Sequence, residues 1–190
     1  MCTALQQQIE HIIPLNPAEF NFFLSHFTEK KLKKGEFLIR EGNKVQADFF
    51  IVKGCLKAYH IDNKGTEHIL QFAVEDWWIT DFQAYLLKTP ATINIVCLED
   101  CEVLSLSFND REKLCAQSHT IEHFFRKKSN FGFVALQKRI LSLLTSDAKE
   151  RHTQFLNAYP QLYQRLSKKV IAAYLGVSRE TLSRLRRKKL

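Results

Sequence analysis

Two absences narrow the class of protein before any motif is considered. No run of about 18 apolar residues occurs, and the N-terminal MCTALQQQIEH lacks a charged region followed by an apolar one. The five cysteines are odd in number and form no CxxC pair, which disfavours both a disulfide framework and a zinc ribbon. We therefore expect a cytoplasmic protein with buried thiols, no membrane partner, no metal and no other cofactor.

Excess positive charge is absent from the first three quarters of the chain. The net charge is +8, and residues 149–190 contain 11 Lys and Arg against 2 acids, or +9. The preceding residues contain the other 17 basic and 18 acidic side chains, or −1. Charge confined to one segment is typical of a surface that neutralises phosphate, so it favours a nucleic-acid partner.

The basic segment also carries a helix-turn-helix pattern in LSKKVIAAYLGVSRETLSRLRRKKL, residues 166–190. Ser167 is placed to cap a first helix, Gly176 supplies a turn at positive φ, and Ser178 is placed to cap a second helix. Apolar side chains at helical spacing would join the helices: Val170, Ile171, Tyr174, Leu175, Val177, Leu182 and Leu185. The polar face of the second helix would then enter a DNA major groove. An ordinary helical hairpin with a solvated basic face is the alternative.

The segments before this module predict an α+β protein. Residues 4–28 read as helical, with a start at Asn16 and Pro17 and a stripe of Phe20, Phe23, Leu24 and Phe27. Residues 34–108 show short apolar or alternating runs interrupted by turns, as in an antiparallel sandwich or barrel. A short helix is expected over 111–116. We predict a β-rich sensor domain over 1–118, a helix over 119–145 and a DNA-binding domain over 146–190.

The long helix, expected from about Thr120 to Leu144, has two apolar faces and therefore two neighbours. One neighbour would be the β domain and the other a second copy of the chain. The first stripe, which we assign to the dimer contact, contains Ile121, Phe124, Phe125, Lys128, Phe131 and Ala135. The second stripe contains Phe133, Leu136, Ile140 and Leu143. A fully intramolecular helix remains the alternative. Asp147 and Glu150 have the spacing of a capping box for the next helix, and Pro160 marks its end.

In the order of its elements, the sequence resembles the Crp/Fnr family of bacterial transcription regulators. The most specific match is GVSRETLSR (176–184); KGEFLIREG (34–42), FFIVKGCLKAY (49–59) and LEDCEVLSL (98–106) also match. The resemblance implies a cyclic-nucleotide-binding-like β-roll (a double-stranded β-helix), a dimerisation helix and a winged-helix-like helix-turn-helix. It also implies a homodimer without catalytic activity that binds duplex DNA at a two-fold symmetric site, contacts RNA polymerase and responds to a small-molecule effector. Because the sequence stops at Leu190, we expect the wing to be missing.

In the family, the SRET segment opens the recognition helix, which makes Arg179, Glu180 and Arg184 the predicted base-reading residues. An arginine fork matches guanine O6 and N7, and a glutamate accepts a hydrogen bond from cytosine N4. A pair between Glu180 and Arg184 within the helix is the alternative role for that glutamate. Phosphate contacts are assigned to Ser178, Thr181, Lys168, Lys169, Arg186, Arg187, Lys188 and Lys189.

The resemblance fails at the effector region. Family members that bind cyclic nucleotides carry GEL and RSA segments, whose glutamate and arginine hold the ribose and the cyclic phosphate. The matching stretch here is 75–95, in which Asp81 stands near the place of the glutamate. The arginine has no counterpart, since no arginine occurs between Arg40 and Arg111, and a nearby lysine, Lys88, has no planar fork. We therefore predict that the protein does not bind cyclic AMP in the usual way.

A different, more apolar effector is one explanation of the aromatic residues in this stretch. The candidate pocket consists of Trp78, Asp81, Phe82, Tyr85 and Thr92. Burial of the aromatic side chains in the core is the commoner explanation for such residues, and it stays open at this point.

Three rival functions are weighed against a DNA-binding regulator. A cupin-type metal protein would have to use His60 and His68, which lack a tight His-x-His pair. An iron-sulfur or haem sensor would need more ligands than Cys2, Cys97 and Cys101 supply. An effector-binding or protein-interaction module whose helix-turn-helix does not read DNA is the third rival, and salt-independent, weak association with duplex DNA would favour it.

Overall fold

The computed structural model describes residues 3–187, which divide into two compact units. The first unit comprises Met1–His60 and Gln71–Ser129, and the second comprises Ile61–Leu70 and Asn130–Leu190. The first is built mainly from antiparallel strands and the second mainly from helices. The predicted α+β class is confirmed.

Two short helices open the chain, where the sequence predicts one helical region. Helix α1 covers Thr3–Glu10 and α2 covers Pro17–Leu24. Asn16 Oδ1 accepts hydrogen bonds from the backbone of Ala18 and Glu19, and the Glu19 carboxylate accepts from Asn16 N at 2.8 Å. The predicted Asn16 and Pro17 start is confirmed. Phe27, expected on the helical stripe, instead begins the first strand.

Eight strands form two four-stranded sheets. They are β1 (Phe27–Leu32), β2 (Phe37–Ile39), β3 (Ala47–Lys53), β4 (Leu56–Ile61), β5 (Glu67–Ala73), β6 (Trp78–Ile79), β7 (Asn94–Cys97) and β8 (Cys101–Ser107). One sheet has the order β1-β8-β3-β6 and the other β2-β7-β4-β5. Strand β8 pairs antiparallel with β1 and β3, and β7 pairs antiparallel with β2 and β4. Apolar side chains such as Ile51, Leu56, Ile95 and Val103 fill the core between the sheets, so the predicted β-rich domain is present.

Seven further helices complete the described chain. They are α3 (Phe82–Leu87), α4 (Phe108–Gln117), α5 (His119–Thr145), α6 (Ala148–Ala158), α7 (Pro160–Arg165), α8 (Lys168–Leu175) and α9 (Arg179–Arg187). The long helix matches its predicted bounds within one residue, and α4 is longer than the expected 111–116. The capping box at the start of α6 is confirmed, because Asp147 accepts from Glu150 N and Glu150 from Asp147 N. None of the helices in the described part of the chain is long and apolar enough to cross a membrane.

The first turns of α5 are buried in the first unit. Phe124 and Phe125 contact Trp78 with ring centroids 6.3 and 5.7 Å apart, and both also contact Phe23. Ile121 belongs to the same apolar cluster and is almost fully buried. These three side chains, assigned from the sequence to a dimer contact, therefore pack within their own chain and offer no surface to a partner.

The second stripe of α5 is exposed along its whole length. Phe133, Leu136, Ile140 and Leu143 are 69, 53, 47 and 45% exposed. Their spacing of three, four and three residues is the spacing of an a/d seam in a coiled coil. Phe131 and Ala135, from the first stripe, are exposed as well, and Lys128 is half-buried. The α5 seam, defined as Phe133, Leu136, Ile140 and Leu143, is therefore an apolar surface that nothing in residues 3–187 covers.

Candidate nucleic-acid interface and effector region

Helices α8 and α9 form the helix-turn-helix that the sequence predicts. Ser167 Oγ accepts a hydrogen bond from Val170 N, and Gly176 ends α8 with φ 66° and ψ 37°. A residue at that left-handed position is most easily glycine. Ser178 Oγ then accepts from Thr181 N at 3.1 Å and starts α9. Buried side chains on both helices join them: Ile171, Ala172, Tyr174, Leu175 and Leu182.

The predicted base-reading residues lie on the exposed part of α9. Arg179, Glu180 and Arg184 are all exposed. Glu180 and Arg184 lie nearly opposite the buried Leu182 around the helix, as residues two positions before and after it must. Arg184 donates to Thr181 Oγ1 at 3.3 Å. The backbone N–H of Glu180 and the Ser178 hydroxyl hold the pKa of the Glu180 carboxyl below its usual range, so this side chain is an acceptor at neutral pH.

The residues assigned to phosphate contact surround the start of each helix. Lys168 and Lys169 are exposed in the first turn of α8, while Ser178 and Thr181 stand at the start of α9. Ser178 and Thr181 already contact each other, with 3.2 Å between their hydroxyl oxygens. The side chains of Arg186 and Arg187, and the residues Lys188 and Lys189, lie outside the described part of the structure.

Two arginines, which the sequence pattern does not single out, hold the C-terminal end of α8. Arg151, on α6, donates from Nε to Leu175 O at 2.9 Å and from Nη1 to Ser146 O at 2.6 Å. Arg139, on α5, donates to Tyr174 O and to Ile69 O in β5. Its guanidinium carbon also lies 3.7 Å from the centroid of the Tyr174 ring. Cations at the last carbonyls of a helix oppose the negative end of its dipole, so both residues position the helix-turn-helix.

The environment of Arg139 is enclosed. Burial lowers the pKa of its guanidinium and raises the pKa of the Tyr174 phenol to about 12. A cation–π contact is stronger when water is excluded from it, so the stacking of Arg139 on Tyr174 contributes more than an exposed pair would.

In the effector region, the Asp81 carboxylate is fully engaged by its own chain. Asp81 Oδ1 accepts from Ala84 N at 3.1 Å as the cap of α3. Oδ2 accepts from Thr92 N, Thr92 Oγ1 and Ile93 N at 2.7, 3.0 and 3.3 Å. The side chain is almost fully buried. The amides that precede β7 and open α3 are therefore already paired with an internal anion.

The other residues of the predicted pocket do not share one surface. Trp78 packs on Phe27, Phe50, Phe124 and Phe125, and its Nε1 donates to Gln8 Oε1 at 2.8 Å. Tyr85 is buried against Phe108, with ring centroids 5.2 Å apart, whereas Phe82 is 44% exposed. Lys88, which is the nearby cation, ends α3 and lies over the Phe108 ring at 5.0 Å. Core packing thus accounts for two of the three aromatic residues.

The histidines and cysteines considered as metal ligands either contact other groups of the chain or are buried or half-buried, where the structure describes them. His60 Nδ1 lies 3.2 Å from Thr92 O, and His68 Nε2 lies 2.8 Å from Asp62 Oδ2. Across residues 3–187, no group of three or more His, Cys, Asp or Glu side chains has the arrangement of a metal site. Cys55, Cys97 and Cys101 are buried, Cys115 is half-buried, and Cys2 lies outside the described residues.

Comparison with known proteins agrees with this architecture. Residues 29–118 match the family model of the cyclic nucleotide-binding domain. The transcriptional activator protein Anr of Pseudomonas aeruginosa is 26% identical over 171 residues, which cover 82% of this chain and 68% of that protein. The cAMP-activated global transcriptional regulator CRP of Escherichia coli O157:H7 is 23% identical over 185 residues, covering 90% and 87%.

The fold is also shared with a solved structure. FixK2 from Bradyrhizobium japonicum superposes with a TM-score of 0.76 at 18% identity, over 85% of this chain and 83% of that one. Residues 29–118 therefore resemble a cyclic nucleotide-binding domain, and a series of helices follows them in the chain. Over most of its length the chain is similar in sequence to the transcription regulators Anr and CRP.

Proposed function

We propose that the protein is a transcription regulator that reads a specific DNA sequence as a homodimer and does not respond to cyclic AMP. The observation that carries the proposal is the exposed recognition face of α9, where Arg179, Glu180 and Arg184 surround a capped helix start. The buried Leu182 holds the opposite side of the same helix. Residues 149–190 carry a net charge of +9, which supplies the affinity for phosphate that a protein needs to bind duplex DNA.

Selection of binding sites from random duplex DNA with purified full-length protein tests this function. We expect a two-fold symmetric sequence to be enriched, with half-sites about 34–36 Å or 10–10.5 base pairs apart. Failure of any sequence to be enriched above the starting pool would contradict DNA reading and would favour a module that binds only a ligand or a protein.

Replacing Arg184 with alanine is expected to relax the preference at one base pair of each half-site. A bidentate arginine–guanine contact contributes about 1–3 kcal/mol, so the specific Kd should rise by roughly 5- to 150-fold per half-site. Competition binding against single-base variants of the selected site measures the effect. The loss of sequence preference should be confined to one base pair of each half-site, because Arg184 is proposed to contact a base and not the DNA backbone.

Lys168→Ala is the matched control for Arg184→Ala. Lys168 is equally exposed in the same module but is assigned to phosphate. Its removal should weaken binding to all sequences alike and reduce the salt slope by about 1. If Arg184→Ala also weakened binding to all DNA sequences by the same factor, base reading by Arg184 would be refuted.

The dimer follows from the α5 seam and from the symmetry of DNA. A second copy is the partner that fits an a/d seam and that brings two recognition helices to one duplex. A monomer would present one recognition helix and would lose half of the base contacts. The dimer contact proposed here is therefore Phe133, Leu136, Ile140 and Leu143, together with the neighbouring exposed Phe131 and Ala135.

The proposed lack of a cyclic AMP response follows from Asp81. A cyclic phosphate placed at the start of α3 would meet a buried carboxylate of the same sign, and the amides of Ala84, Thr92 and Ile93 are already paired with it. No arginine between Arg40 and Arg111 is present to neutralise the phosphate. Both features make the binding of cyclic AMP unfavourable.

Isothermal titration with cyclic AMP is therefore expected to give no saturable heat. Escherichia coli CRP, which is cAMP-activated by name, is the positive control under the same buffer and temperature. Saturable binding at micromolar cyclic AMP would contradict this part of the proposal and would leave DNA reading unaffected.

A further inference from the structure

A cleft of about 830 Å³ opens on the first unit at a place distinct from the Asp81 region. It lies where the edge strand of each sheet borders the gap between the sheets, since β1 and β2 are the end strands in the two strand orders. The segment Asn43–Ala47 and Phe49 of β3 complete its walls. Its volume falls in the range of about 300–1,000 Å³ that is typical of small-molecule sites.

The cleft has an apolar floor. Ile39, Val45, Ala47 and Phe49 line it, and all four are buried members of the core between the two sheets. An apolar chain or ring that entered the cleft would thus lie against side chains already packed in the core. Removing such a group from water is favourable in proportion to its apolar area.

The rim of the cleft is cationic. Lys30, Arg40 and Lys44 line it, and within residues 3–187 none of the three has a carboxylate at ion-pair distance. The Lys30 ammonium lies 5.3 Å from the Phe49 ring centroid, and the Arg40 guanidinium lies 4.2 Å from that of Phe37. Stacking on aromatic rings fixes these cations at the mouth without neutralising them.

Two acidic side chains at the cleft, Glu36 and Glu102, already have a hydrogen-bond or ion-pair partner within the chain. Glu36, which is the only acid among the lining residues, accepts a hydrogen bond from Lys33 N at 2.6 Å. Glu102 pairs with Lys31, the remaining cation of the lining, at 3.7 Å. The lining contains four cations, Lys30, Lys31, Arg40 and Lys44, against the single carboxylate of Glu36, so the mouth of the cleft keeps an excess of positive charge.

We propose that this cleft binds an amphipathic anion, with its apolar body against the apolar floor and its carboxylate or phosphate head at Arg40 and Lys44. The Arg40 fork matches a planar carboxylate or a phosphate, and Lys44 adds a second donor across the turn closed by the hydrogen bond from Asn43 N to Arg40 O. This site does not depend on DNA reading. Through this cleft the first unit would bind an anionic ligand, although the buried Asp81 carboxylate opposes an anion at the start of α3.

Titration of the purified full-length protein with decanoate tests the site, with decanol as the uncharged match. We expect saturable heat with decanoate and shifts of the backbone amide resonances between Gly35 and Ala47. Decanol should bind at least about tenfold more weakly, because one charge-assisted contact accounts for about that factor. Decyl phosphate, titrated in parallel, distinguishes a phosphate head from a carboxylate head.

Two charge-reversal variants complete the test. Arg40→Glu combined with Lys44→Glu should weaken decanoate binding by more than tenfold, and both side chains are exposed, so the fold should be kept. Lys34→Glu, an exposed lysine outside the lining, should leave decanoate binding unchanged. The proposal is overturned if neither decanoate nor decyl phosphate gives saturable binding below about 1 mM, if decanol binds as tightly as the anions, or if both variants behave alike. None of these outcomes bears on the selection of DNA sites.

Discussion

Leu136→Asp combined with Ile140→Asp is expected to convert the protein to a monomer and to abolish binding to the two-fold DNA site. The double change places four carboxylates, two from each protomer, in the centre of the proposed seam. Burial of each leucine or isoleucine is worth about 1.5–3 kcal/mol, so the loss over four side chains is about 6–12 kcal/mol. A dimer with a nanomolar Kd is held by only about 12 kcal/mol. The dimer should therefore dissociate at micromolar protein.

Sedimentation equilibrium measures the loss of the dimer, and a gel-shift titration on the selected two-fold site measures the loss of DNA binding. Leu86→Asp combined with Leu87→Asp is the matched control, because these leucines are 57 and 67% exposed on α3, which is a different helix from that of the seam. The control should stay dimeric and bind DNA normally. A seam variant that remained dimeric would show that the two copies meet elsewhere.

The local start signals of helices could be predicted from the sequence because each depends on neighbouring residues alone. Asn16 before Pro17, Asp147 with Glu150, and Ser178 each cap a helix where the sequence predicts it. Positive φ at Gly176 was predictable for the same reason. These short-range rules were enough to locate the helix-turn-helix and its exposed face.

The assignment of the two faces of α5 could not be made from periodicity. Both stripes of the helix have apolar residues at helical spacing, and spacing does not tell which neighbour covers which stripe. Ile121, Phe124 and Phe125 pack in the cluster that contains Phe23, Phe50 and Trp78, which is assembled from distant segments. Only those long-range contacts show that Phe124 and Phe125 are internal and that Leu136 and Ile140 are exposed.

In the effector region, too, the sequence alone could not predict a contact between distant residues. The sequence placed Asp81 near a family glutamate, but it could not show that the carboxylate turns onto Thr92 and Ile93, eleven and twelve residues further on. The cleft between β1 and β2 was missed for a related reason. Its cations and its apolar floor come from several segments, and it exists only once two sheet edges meet.

Arg139→Met combined with Arg151→Met is expected to unfold the helix-turn-helix while leaving the β-rich unit folded. Each guanidinium donates to a carbonyl at the end of α8, and a hydrogen bond from a charged group contributes about 1.5–3 kcal/mol. Methionine keeps much of the apolar stem, so the loss is confined to the cationic group. The two hydrogen bonds together account for about 3–6 kcal/mol, and the loss of the stacking of Arg139 on Tyr174 adds to that cost. That is comparable with the whole stability of a small unit, for which about 5 kcal/mol is common.

Amide hydrogen exchange resolved by residue measures this effect. In the double variant, the amides of α8 and α9 should exchange much faster than in the parent, whereas those of β3 and β8 should keep their protection. Lys138→Met combined with Lys149→Met is the control, because these exposed lysines lie on the same two helices and their described contacts include no α8 carbonyl. Equal exchange in the two double variants would refute the role of the arginines. If α8 and α9 lost protection in the arginine variant and not in the control, and specific DNA binding fell with it, the two guanidinium groups would be established as the residues that position the recognition helix.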